Sequence, residues 1–130
     1  MKKFISTVAL ILSVFVLFTV VYGNKSNHLE QDAAKKIIAE NPDVIILDVR
    51  TQDEYEKKHI PNAVLVPIED LRKGDFSALP DKNKMILTYC RTGRRAEDSA
   101  KILTDNGYKN VYDFGGLVDW TGAVEGSEVE

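Results

Sequence analysis

The segment Met85–Gly107, MILTYCRTGRRAEDSAKILTDNG, changes its hydrophobic period in the middle, and that change restricts the fold more than any other feature of the chain. Met85 to Tyr89 is a short apolar run of the kind that makes a buried strand. Beyond it Ala96, Ala100 and Leu103, with Ser99 and Ile102 beside them, recur at helical spacing up to a terminating Gly107. A strand leading straight into an amphipathic helix is the building unit of an α/β fold with a parallel sheet. At the junction stands the only cysteine of the chain, Cys90.

Between strand and helix lie Arg91, Thr92, Gly93, Arg94 and Arg95. Backbone N–H groups of such a turn and of the first helical residues converge on whatever sits at its centre, so the loop is an anion cradle. Thiolate is the reactive form of cysteine, and a helix N-terminus and neighbouring arginines both favour it. A lone cysteine is more often a small inert hydrophobe, but an apolar slot would not tolerate the adjacent guanidiniums. Cys90 is therefore the candidate nucleophile.

Strand, Cys-Arg-Thr-Gly-Arg-Arg, then amphipathic helix resembles the active loop of the rhodanese (thiosulfate sulfurtransferase) family. The likeness extends upstream to Leu47-Asp48-Val49-Arg50, Glu54-Tyr55 and His59-Ile60-Pro61-Asn62-Ala63. Downstream it takes in Asn106-Gly107-Tyr108, Val111-Tyr112, Gly115-Gly116 and Trp120. Lys58 and Asn62 stand where the family commonly has glycine, and asparagine is the residue that best replaces glycine in a left-handed turn. The resemblance implies a three-layer α/β fold with a central, mostly parallel sheet flanked by helices. It also implies a double displacement: Cys90 attacks the sulfane sulfur of thiosulfate or a related anionic donor, sulfite leaves, and the persulfide passes its outer sulfur to cyanide or a thiol. No metal or organic cofactor is expected.

With 130 residues, 44% hydrophobic and 28% charged, the chain has the composition of one globular domain. A net charge of -3 argues against a nucleic-acid surface. Met1-Lys2-Lys3 followed by the apolar run Phe4 to Val21 has the pattern of an export signal cleaved after Gly23. The run is also close to the ~20 residues of a membrane helix, so an uncleaved anchor, the one expected route to a membrane, is the alternative. Either way the domain is expected outside the cytoplasm, in the periplasm or cell envelope, or secreted. Residues 1–23 are then set apart, 24–28 form a linker, 29–120 the rhodanese-like domain and 121–130 an acidic, mobile tail. One cysteine makes no internal disulfide and leaves no resolving thiol beside Cys90.

Along the domain, Gln31 to Glu40 reads as a surface helix burying Ala33, Ala34, Ile37 and Ile38. Val44 to Val49 reads as a strand buried on both faces. Asp48 and Cys90 then both lie at carboxyl ends of parallel strands, where such sheets bind ligands. Asp48 either supports the loop directly or pairs with Arg50. Thr51 to Glu54 is a capping box that starts a short helix, served by Arg50 and Tyr55. His59 is read as structural rather than as a base for Cys90, because the cradle already favours thiolate. Strands over Ala63–Val66 and Val111–Phe114, a helical turn at Ile68–Leu71 and a crossover docked by Phe76 and Leu79 complete the pattern. Trp120 fills the core from a last short helix, and His28 has no assigned part.

Two other readings compete. A cysteine phosphatase or arsenate reductase uses a similar cradle, but its Cys-x5-Arg signature needs a bidentate arginine where this chain has Ala96. A rhodanese-like module that only binds a partner or an anion would share every motif. The sequence contains no internal repeat, metal-ligand cluster, dinucleotide glycine motif or Walker sequence.

Overall fold

Four short runs rich in Ile, Leu and Val form the strands of the computed structural model, which describes residues 27–129. The expected export segment 1–23 and residues 24–26 of the expected linker lie outside the described residues. In chain order the elements are α1 (Gln31–Glu40), β1 (Ile45–Asp48), α2 (Gln52–Lys57), β2 (Val64–Leu65), α3 (Ile68–Arg72), β3 (Ile86–Cys90), α4 (Arg94–Asp105), β4 (Val111–Gly116) and a 3-10 turn, Leu117–Asp119. The sheet runs β2-β1-β3-β4 and every pairing in it is parallel. Parallel neighbours need crossovers, and α2, α3 and α4 lie in them.

Alternation along the strands sends side chains to two cores. Leu47, Val49, Ile86 and Cys90 face a cluster with Leu71 of α3 and Ala96, Ala100 and Leu103 of α4. Ile46, Leu87 and Tyr89 face a second cluster that holds Ala34 of α1 and receives Tyr55 of α2. The result is the expected three-layer α/β/α arrangement. Leu79 is buried, Phe76 packs beside it, and the Tyr108 hydroxyl donates to the Leu79 carbonyl at 2.5 Å, so the crossover docks as its sequence suggests.

Several details differ from expectation. Ala33 is exposed and Ala34 alone of α1 is fully buried, because α1 lies over the sheet on a narrow stripe. Trp120 is half-buried, with its ring against Phe114 and its indole N–H given to the Ala123 carbonyl. Asn27 and His28, expected in a linker, flank β4: Asp113 N–H donates to Asn27 O at 2.9 Å and Leu29 N–H to Asp113 O at 2.8 Å.

The acidic tail is held rather than free. Glu125 and His59 exchange backbone hydrogen bonds of 2.8 and 2.9 Å, and Ser127 and Glu128 N–H donate to the carbonyls of Glu56 and Lys57. A composition rich in Glu and Gly gives no hint of this, since the bonds are made by backbone.

Asn62 adopts φ 67°, the left-handed conformation anticipated for it, whereas Lys58 is extended at φ −164° and needs no glycine. Asn62→Val is expected to lower stability by roughly 1–2 kcal/mol, since a β-branched residue meets its own carbonyl there, while Asn62→Gly leaves it nearly unchanged. Urea midpoints for both variants check this.

Candidate active site

Strand β3 continues one residue further than the apolar run suggests, so that Cys90 is its last residue, opposite Gly116 across an irregular step in the β3–β4 pairing. The chain then turns sharply. Gly93, at φ 116°, brings its N–H to within 3.0 Å of Cys90 Sγ, and α4 begins at the next residue. That φ lies where a side chain would be strained. The loop also presses against β4. A Cβ on Gly116 would sit 2.2 Å from the Arg91 carbonyl oxygen and 2.6 Å from Thr92 Cα. Val118 N–H donates to that same carbonyl at 3.1 Å.

Cys90 is 1% exposed. The thiol thus lies in the apolar cluster that the adjacent guanidiniums argue against, because β3 carries the residue into the sheet and the side chains of Arg91 and Arg94 turn away from it into solvent. The sulfur nonetheless faces a polar donor on its loop side. Among the described residues Gly93 supplies the one backbone N–H bonded to it.

The arginines of the loop do not share one task. Arg95 turns inward and grips Glu54 with both ends of its guanidinium, at 2.8 and 3.0 Å. Its own pKa is raised by that hydrogen bond first, against burial, with the Glu54 charge and the nearby Cys90 adding to it. Hydrogen bonding from Arg95 holds the Glu54 carboxyl down to about 2. The capping box fixes the other side of Glu54: its carboxylate accepts from Thr51, and its N–H donates to Thr51 Oγ1. Arg94 points into solvent, 85% exposed and 3.9 Å from Asp98. Arg91 and Thr92 are exposed.

Asp48 does not reach the loop. It is fully buried and holds Arg50 through Nε and Nη2, at 3.0 and 2.7 Å, besides accepting from the Arg50 N–H. Arg50 Nη2 also donates to the Lys58 carbonyl at 2.5 Å. Burial works against the Arg50 charge, but the hydrogen bonds and charge of Asp48 outweigh it and raise its pKa. The remaining partner is Tyr89, whose hydroxyl donates to Asp48 Oδ2 at 2.6 Å and accepts from Ile60 N–H at 3.0 Å. Burial, then the Asp48 charge, pushes that phenol far up, so it remains a donor. Asp48, Arg50 and Tyr89 thus form one buried hydrogen-bonded network at the ends of β1 and β3. The only sequence signal of Tyr89 is its place before Cys90.

His59 bonds Tyr55 O through Nδ1 at 2.6 Å and Glu125 through Nε2 at 3.0 Å, and its ring stacks on Tyr55. Both nitrogens are thereby engaged in structural contacts. His28 pairs with Asp113 at 2.7 Å, which raises its pKa. Among the described residues no group of His, Cys, Asp and Glu could hold a metal ion.

Two cavities flank the loop. One, of about 480 Å³, is lined by Glu30, Asp32, Asp119 and Thr92 among others. The other, of about 500 Å³, has Arg91, Arg50, Lys57 and Lys58 in its wall.

The rhodanese-like domain family matches residues 29–123. Thiosulfate sulfurtransferase PspE of Escherichia coli (strain K12) is 34% identical over 73 residues, which are 56% of this chain and 70% of that protein. The tRNA uridine(34) hydroxylase of Yersinia pestis (strain Pestoides F) is 34% identical over 103 residues, 75% of this chain but only 29% of the hydroxylase. Among solved structures, a rhodanese with anions from E. coli superposes with TM-score 0.59 at 30% identity, covering 65% of this chain and 99% of that one. The rhodanese-like domain of the Alr3790 protein from Anabaena gives TM-score 0.70 at 28% identity, over 80% and 82% of the two chains.

Two outcomes are expected from this geometry. Glu54 is held at about 2 against an ordinary 4.5, so its pairing stabilises the fold above pH 4.5, and that contribution disappears as pH falls towards 2. Glu54→Gln should therefore be less stable than the parent above pH 4.5, with the gap closing near pH 2 in urea titrations. Gly116→Ala should displace the loop and slow alkylation or sulfur loading of Cys90, with the circular dichroism of the sheet preserved.

Proposed function

This chain belongs to the family of rhodanese-like domains, and from that premise we propose that it is a sulfurtransferase working through a persulfide on Cys90. The Cys90 thiolate attacks the outer sulfur of thiosulfate or a related sulfane donor. The donor's S–S bond breaks, and sulfite departs with the electron pair. Cyanide or a thiolate then attacks the outer sulfur of the persulfide, and the pair returns to Cys90 Sγ. The observation that carries this reading is the Gly93 N–H 3.0 Å from that sulfur at the head of α4, beside Arg95. A hydrogen bond to a charged sulfur contributes about 1.5–3 kcal/mol, and it is available in both half-reactions. Because Cys90 is 1% exposed, the loop must yield as the donor enters.

Phosphatase chemistry is disfavoured by the same geometry. Ala96, at the position of the phosphatase arginine, is fully buried in the apolar core. The binding-module reading keeps one observation in its favour, the closure over Cys90. The N-terminal pattern of residues 1–23 supports a site of action in the periplasm or cell envelope, or secretion. No helix among the described residues is long and apolar enough to cross a membrane.

Incubation with thiosulfate should add one sulfur atom to the intact mass of the protein, removable by cyanide and absent from Cys90→Ser. No uptake from thiosulfate or polysulfide, together with a Cys90 that alkylates only after unfolding, would leave a binding module.

A further inference from the structure

The two cavities beside the loop have nearly equal volumes, and their walls differ in charge. On the side of Thr92 the wall carries three acids, Glu30, Asp32 and Asp119, against one basic side chain, His28, which pairs with Asp113, so negative charge is in excess there. On the side of Arg91 it carries Arg50, Lys57, Lys58 and two acids, Glu54 and Glu128. Glu54 is already neutralised by Arg95. Lys57, Lys58 and Arg91 form no ion pair among the described residues, so positive charge is in excess there. Arg50 is nearly buried and spends Nε and Nη2 on Asp48 and Lys58, leaving Nη1 without a hydrogen bond among the described residues in a side chain that lines the cavity. Leu117 and Val118 add an apolar patch, Val118 being 60% exposed.

Cyanide or sulfite would fill only a small part of about 500 Å³, a volume in the range of sites for organic ligands. We propose that this cavity is the acceptor subsite and that it takes a small organic thiol bearing two or more carboxylates. Its carboxylates lie against Lys57, Lys58 and Arg91, its aliphatic part against Val118, and its sulfur towards Cys90. The inference rests on the sulfurtransferase reading. In the step concerned, the acceptor thiolate attacks the outer sulfur of the Cys90 persulfide. A new S–S bond forms, the bond to Cys90 breaks with its pair left on Sγ, and the acceptor leaves as a persulfide.

The test uses protein loaded with sulfur from thiosulfate and follows its discharge by mercaptosuccinate, with two carboxylates, against neutral thioglycerol. Discharge by mercaptosuccinate should saturate and be the faster at low concentration, and added salt should reduce the preference. Replacing both lysines, Lys57→Gln with Lys58→Gln, should cut the mercaptosuccinate-to-thioglycerol ratio about fivefold, as expected for two exposed charge pairs. That ratio is blind to a general loss of active protein. Equal discharge by the two thiols, or a preference that survives both substitutions, overturns the subsite and leaves the transferase standing. Failure of Cys90 to load overturns both.

Discussion

A buried carboxylate–guanidinium pair underlies the whole functional end of this molecule. Asp48 closes β1, Arg50 follows it, and Tyr89 reaches across from β3; the three groups satisfy one another and tie down Lys58 O and Ile60 N–H. Charges removed from water are costly unless fully partnered, and removing one member of such a pair typically costs about 3–5 kcal/mol. The pair adds less to net stability than to precision. It sets the ends of β1 and β3 level, and it holds the segment after α2 against them. Cys90, next to Tyr89, inherits that placement.

From this base the loop is built by steric necessity. Gly93 turns the chain back over the sulfur, and Gly116 leaves room for Arg91 and Thr92 to rest on β4. Arg95 then reaches across to Glu54 of α2, whose own conformation is fixed by the capping box. A helix cap far from Cys90 in sequence thereby steadies a guanidinium that interacts with the sulfur. Local stability and site chemistry share one residue here.

Much of this is legible in the sequence where the information is local. The change of period around Cys90, the Thr51–Glu54 box, the docking of Leu79 and the left-handed Asn62 each follow from a few adjacent residues, and each is found. Long-range matters were not. The arginines of the loop look alike in sequence, yet among the described residues Arg95 alone of them grips a carboxylate with both ends of its guanidinium, and that carboxylate lies 41 positions away. Asp48 appeared equally able to face the loop or its own neighbour, and Tyr89 decides the matter by drawing it inward. The burial of Cys90 is not legible in the sequence, because β3 runs on past its apolar residues. The held tail is equally hidden, because backbone hydrogen bonds leave no compositional trace.

The pairing of β1 with β3 also governs how the chain comes to be folded. Strands adjacent in space are separated along the backbone by two helices and a long crossover, so the sheet's middle depends on contacts between distant segments. Such topologies close slowly, because loop entropy must be spent before any pairing rewards it. During synthesis the first half of the chain has only β2 to set beside β1. Vectorial growth must therefore deliver the segment containing Cys90 before a cooperative core exists, and until then the aliphatic runs of the first half lack the neighbours that bury them.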